Sequence, residues 1–195
     1  VLILFLRCSK EFCEKEVSMM DSSRQNLADD WTPVTGWVLG GYVFCALLIL
    51  WLSHSGDRWV FLLDSANLAF HEAGHPLFGL LSERLAVYGG TLAQLMFPLL
   101  VLFSFYRQRA TFSCACAVLW LGENLFNIAV YMADARTRIL PLVGGGEHDW
   151  TEIFGRWGVL DWDADIAVLV RLAGWLLIAG AGIGLWYRRD VVARR

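Results

Sequence analysis

His71-Glu72-Ala73-Gly74-His75 sets two imidazoles and a carboxylate within five residues of one apolar stretch. On a helix, residues four apart share a face, so His71 and His75 can reach one metal ion. Glu72 is rotated about 100° from His71, which sets its carboxylate beside a water on that metal rather than on the metal itself. Zinc lowers the pKa of such a water towards ~7, and a neighbouring glutamate can then take its proton. The chemistry expected of the pentapeptide is metal-assisted hydrolysis, with His71 and His75 as ligands and Glu72 as general base. Ionisable groups inside a membrane are costly and usually functional, which argues against histidines that merely pack.

A catalytic zinc takes a third protein ligand and leaves one position for water. Candidates for that place are Glu123, Asp134, His148 and Asp149. Asp64, Asn67, His71 and His75 fall at offsets 0, 3, 7 and 11, a single helical stripe. Glu123, Asn127 and Asp134, at offsets 0, 4 and 11, form a second. Two polar stripes on lipid-embedded helices are expected to face each other or a wet cavity. Depth favours Glu123, which lies as far into its apolar segment as His71 does into its own. Asp134 sits 7 residues beyond Asn127, ~10 Å shallower at 1.5 Å per residue. His148 and Asp149 reach the pair only if the loop holding Gly144-Gly145-Gly146 folds back.

Apolar segments must position these groups. They run roughly 36–54, 59–81, 85–106, 111–133 and 166–187, each about long enough to cross a ~30 Å hydrocarbon layer as a helix. Trp37, Trp51, Trp59 and Trp186 stand near their ends, where amphipathic rings settle at the membrane interface. With 57% hydrophobic residues, 18% charged and a mean hydropathy of +0.50, the 195-residue chain does not suit a soluble domain. The expected fold is therefore an all-α, polytopic membrane protein with about five transmembrane helices over 36–187.

Residues 134–165 read as an extramembrane loop with a surface helix near Trp150–Trp157. Residues 1–35 read as a polar lead-in, the first 19 as an upstream extension outside the fold, and 188–195 as a basic tail. With five spans, Arg58, Arg107, Arg109, Arg188, Arg189, Arg194 and Arg195 share one side, against Arg24, Arg84, Arg136, Arg138 and Arg156. That excess places the C-terminus in the cytoplasm. The net charge of −3 gives no electrostatic attraction to nucleic acid. Cys8, Cys13, Cys45, Cys114 and Cys116 form neither a CxxC pair nor a disulfide framework. The last three read as small hydrophobes.

Phe70-His71-Glu72-Ala73-Gly74-His75, followed by Gly89-Gly90-Thr91 and a later apolar helix with Asn127 and Asp134, resembles the site-2 protease family of intramembrane zinc metalloproteases. The resemblance covers about 65–136. It implies a zinc cofactor held by His71, His75 and, as third ligand, Asp134, with Glu72 as general base and Asn127 supporting substrate or cavity. Here Asp134 is flanked by Ala133 and Ala135, whereas the family's aspartate sits in a Leu-Asp-Gly context after an Asn-Pro element. The function so implied is a zinc-dependent peptidase in the lipid bilayer, acting on membrane or membrane-proximal peptides, in a bacterial inner membrane. The alternative is a non-proteolytic metal-binding membrane protein with a regulatory or partner-binding role.

Overall fold

In lipid a backbone must satisfy its own polar groups, which drives long apolar segments into helices. The computed structural model describes residues 31–56, 58–143 and 147–193, and among them helices are the only regular elements. These are α1 (Gly36–His54), α2 (Phe61–Gly79), α3 (Glu83–Arg107), α4 (Thr111–Ala133), α5 (Asp149–Trp157) and α6 (Asp163–Ala193), with a 3-10 turn at Leu160–Trp162. Residues 1–30 of the expected lead-in, the Gly144–Gly146 run and the last two residues of the tail lie outside the described residues.

Four helices are long and apolar enough to cross a membrane: Gly36–His54, Glu83–Arg107, Thr111–Ala133 and Leu160–Arg189. The expected fifth, α2, is not one of them, because Asp64, Asn67, His71, Glu72 and His75 lower its hydropathy. Packing supplies a second reason. Thr32, ahead of α1, is bonded to Thr111 at the start of α4 by Thr111 N–H donating to Thr32 Oγ1 at 2.9 Å. At its other end α1 brings the His54 ring to 5.1 Å from Phe126, late in α4. Helices α1 and α4 are thus parallel.

The opposite direction belongs to α3 and α6. Helix α3 turns into α4 through residues 108–110, and its first turn meets α5, where Arg156 donates to Arg84 O at 3.3 Å. Helix α6 returns far enough for the Arg188 guanidinium to lie 5.1 Å over the Trp31 ring. Four through-running helices, an even number, bring both described ends together. Helix α2 therefore enters and leaves at one end of the bundle, and the described residues supply four membrane-length helices where five were expected. Its middle dips inward, where Phe70 stacks on Phe97 at 3.8 Å.

Small residues let α2 lie close against α3. A Cβ on Gly74 would stand 2.1 Å from Gly89 O, and one on Gly89 2.5 Å from Gly74 O, so neither site has room for a side chain. The same device brings α4 against α6, where a Cβ on Gly174 would stand 2.7 Å from Gly122 O.

The returning α2 makes a direct prediction for the protein in vesicles lacking its five native cysteines. Single cysteines placed at Ser55 and Ser82, on either side of α2, should react with an impermeant maleimide from the same side. Reaction from opposite sides would restore α2 as a crossing.

Candidate metal centre

The stripe on α2 aims His71 and His75 at one point. His75 donates from Nδ1 to the backbone carbonyl of Ala86, 2.9 Å away on α3. A carbonyl can only accept, so Nδ1 carries a proton and Nε2 of His75 faces inward, where it can donate to a carboxylate when protonated or offer a lone pair to a metal. His71 has Nδ1 3.2 Å from Gln94 Oε1. Its ring lies flat against α3 because Gly90 has no side chain there: a Cβ would stand 2.6 Å from the imidazole.

Both Nε2 atoms converge on one carboxylate oxygen, Asp149 Oδ2, at 2.9 Å from His71 and 3.4 Å from His75. The three ligand atoms all lie within 4.8 Å of one another. Tetrahedral zinc with ~2.1 Å bonds places its ligand atoms ~3.4 Å apart, and two imidazoles with a carboxylate is a donor set of hydrolytic zinc sites. The residues present thus fit the metal that the pentapeptide implies. A metal held here would take the place of the imidazole Nε2 protons beside Asp149.

Asp149 arrives here because α5 is amphipathic. Trp150, Ile153 and Phe154 are buried against Ile128, Ala129, Met132, Ala135 and Ala167. Each large apolar side chain so covered contributes roughly 1.5–3 kcal/mol, which holds α5 against the bundle. His148 caps the helix, its Nδ1 accepting from Thr151 N–H at 3.3 Å. Asp149 then occupies the first turn, where the helix dipole favours a carboxylate. Its own N–H donates to the Tyr131 hydroxyl at 3.2 Å. Burial works to raise the pKa of Asp149, but the His71 and His75 hydrogen bonds outweigh it and hold the carboxyl below its ordinary range.

The expectation of Asp134 as third ligand is corrected by this geometry. Asp134 stands one residue past α4 and turns towards the next loop, accepting from Ile139 N–H at 2.9 Å, Leu140 N–H at 3.0 Å and the Thr137 hydroxyl. These donors overcome its burial and hold its pKa below the usual carboxylate range. Its work is to organise a turn whose backbone needs acceptors.

The alternatives also fall elsewhere. His148 is 2% exposed, and its Nε2 points at Asp134 from 3.6 Å, with burial pushing the imidazole pKa down. Glu123 accepts from Asn67 Nδ2 at 3.0 Å, a turn of α2 away from His71. Equal residue counts do not mean equal depth here, because α2 does not run through the bundle alongside α4. The two stripes do meet, with Asn127 Nδ2 donating to Asp64 Oδ1 at 2.8 Å.

Glu72 is outside the ligand trio and half-buried, on the wall of a cavity of about 910 Å³ that His71, His75, Asn127 and Asp149 also line. Leu140, Pro141, Leu142 and Val143 form part of the same lining. Two residues that sequence reasoning passed over belong to this place. Gln94 is the hydrogen-bond partner of His71, and Tyr131 holds the backbone of Asp149 while its ring lies 5.7 Å from that of His71. Gln94 carries no local signal, but Tyr131 stands four residues after Asn127 on the polar stripe of α4. Comparison with known protein families, curated proteins and solved structures returns no match to this chain.

Proposed function

We propose that this protein is a multi-pass membrane peptidase, zinc-dependent and of the kind the site-2 protease resemblance implies. The observation that carries the reading is the convergence of His71, His75 and Asp149 beside Glu72 on one cavity wall. His71, His75 and Asp149 would hold the metal. When bound, zinc supplies Lewis acidity that activates water near neutral pH and polarises a carbonyl. Glu72 faces the same space without being needed as a ligand, so its carboxylate is free to accept a proton and return it to a leaving amine. Asn127 borders the cavity from α4, and the apolar residues 140–143 flank it, where they exclude water and favour an apolar peptide.

A transmembrane substrate must unwind first, because its carbonyls are bonded within its own helix. A centre at one end of the bundle, beside the interface, suits attack near the end of such a helix. Arg107, Arg109, Arg188 and Arg189 lie at the opposite end of the bundle. Arg58, Arg84, Arg136, Arg138 and Arg156 share the metal-centre end.

The test is hydrolysis in lipid vesicles, with a library of single-span peptides and detection of new termini by mass spectrometry. Zinc-loaded protein is expected to cut, to stop when a chelator removes the metal, and to recover when zinc is returned. Protein that keeps zinc yet cuts no member of the library would assign the centre to a non-proteolytic role.

A further inference from the structure

The two histidines take their orientation from different sources. For His75 a backbone carbonyl settles which nitrogen donates. His71 faces the side-chain amide of Gln94, whose oxygen and nitrogen exchange places by a half-turn. What blocks that half-turn lies further along a chain of hydrogen bonds. Gln94 Nε2 donates to Asn127 Oδ1 at 2.9 Å, and Asn127 Nδ2 donates to Asp64 Oδ1 at 2.8 Å.

Asp64 is 1% exposed, and its second oxygen accepts from the Val60 N–H at 2.5 Å. It also hydrogen-bonds side chain to side chain with Glu123, a second carboxyl that is 1% exposed. Carboxyl groups in such contact share a proton, since both cannot carry charge side by side in a dry interior. Val60 and Asn127 already point donors at Asp64, so that proton belongs on Glu123. Asp64 is then an acceptor towards every neighbour. A carboxylate that can only accept gives the chain one direction. Asn127 must turn its NH2 to Asp64 and its oxygen to Gln94, and Gln94 must turn its oxygen to His71.

We infer that Asp64 is a positioning residue for the metal centre, acting through Asn127 and Gln94 to make His71 donate from Nδ1 and present its Nε2 lone pair to the metal. This role presupposes the centre proposed above, yet Asp64 neither belongs to the ligand trio nor itself lines the cavity. Partners of this kind fix the tautomer of a ligating histidine, and their loss typically weakens metal binding about 10–100-fold.

Asp64→Asn tests it, because the substitution keeps the shape and removes the acceptor-only character. The Val60 N–H still requires an oxygen, so the substituted amide turns its NH2 towards Asn127 and the chain inverts. Gln94 then donates to His71 Nδ1. Nitrogen-15 NMR of labelled histidines in bilayers, without metal, should find His71 Nδ1 protonated in the parent and bare in Asp64→Asn. The dissociation constant for zinc, from chelator competition, should rise about 10–100-fold. Adding Gln94→Glu to Asp64→Asn should restore both readouts, since a carboxylate at that position accepts from His71 and Asn127 alike.

A bare Nδ1 in the parent, or a protonated one in folded Asp64→Asn protein, overturns the role of Asp64. If Asp64→Asn does not fold, Gln94→Leu decides through zinc affinity. An unchanged dissociation constant overturns the proposal, and a 10–100-fold rise supports it. A parent protein with the Nδ1 proton in place but no affinity for zinc would remove the metal reading alone and leave the polarity of the chain standing.

Discussion

Asp149→Ala is expected to strip zinc from the purified protein as completely as His71→Ala or His75→Ala. The parent should hold about one zinc per chain, since the described residues supply one trio of the right donors. Each member of the trio contributes one of three protein bonds, and the two imidazoles alone make a weak chelate. Asp134→Asn should behave differently. Asp134 organises the turn at 137–140 and faces His148, so its loss loosens the backbone that carries Asp149. Such indirect effects typically cost about 10–100-fold in affinity, and zinc should remain at saturating concentration. Metal content by mass spectrometry after dialysis separates the cases. Full zinc in Asp149→Ala together with empty Asp134→Asn would return the third place to Asp134.

Why Asp134 and Asp149 are so easily confused in the sequence is a matter of what periodicity can see. A stripe reports which residues share a helix face, so the facing of Asp64 and Asn67 by Asn127 and Glu123 was legible from spacing alone. The convergence of His71 and His75 was legible for the same reason, because both histidines lie on one helix. Asp134 lies just past the end of α4, where helical phase no longer dictates direction and the nearest unpaired backbone N–H groups do. Asp149 comes from a separate helix, and its arrival depends on tertiary burial. One local signal pointed to it: Trp150, Ile153, Phe154 and Trp157 fall at i, i+3, i+4 and i+7, an apolar helical face that must be covered by something.

Four helices rather than the expected five are long and apolar enough to cross a membrane, for a related reason. An apolar segment of about 20 residues reads as a span by length, but α2 carries two carboxylates and two histidines that lipid cannot solvate. The bundle accommodates them by holding α2 among α3, α4 and α5. Gly74 and Gly89 permit the close contact that seals it there. Those glycines are visible in the sequence, whereas their partnership is visible only once the chain has folded back.

Glu72→Gln should separate metal binding from chemistry. The trio is complete without Glu72, so zinc content and folding should match the parent. The amide has nearly the shape of the carboxylate and cannot take up a proton at neutral pH. General acid–base assistance contributes about 10²–10⁴ in rate, and hydrolysis should fall by that factor with little change in KM. Its neighbours support this division of labour. Glu72 acts electrostatically on both His75 and Tyr131, so it stands close to the point where His71, His75 and Asp149 converge. Glu147 and Glu152 line the same cavity and are, among the described residues, the only other glutamates in its lining. Both come from the segment that delivers Asp149, and Glu152 is already committed to an ion pair with Arg156. Undiminished hydrolysis by zinc-loaded Glu72→Gln would pass the role of base to Glu147, which belongs neither to the trio nor to an ion pair with an arginine. A Glu147→Gln variant, assayed beside it on the same peptides, then shows which of the two glutamates moves the proton.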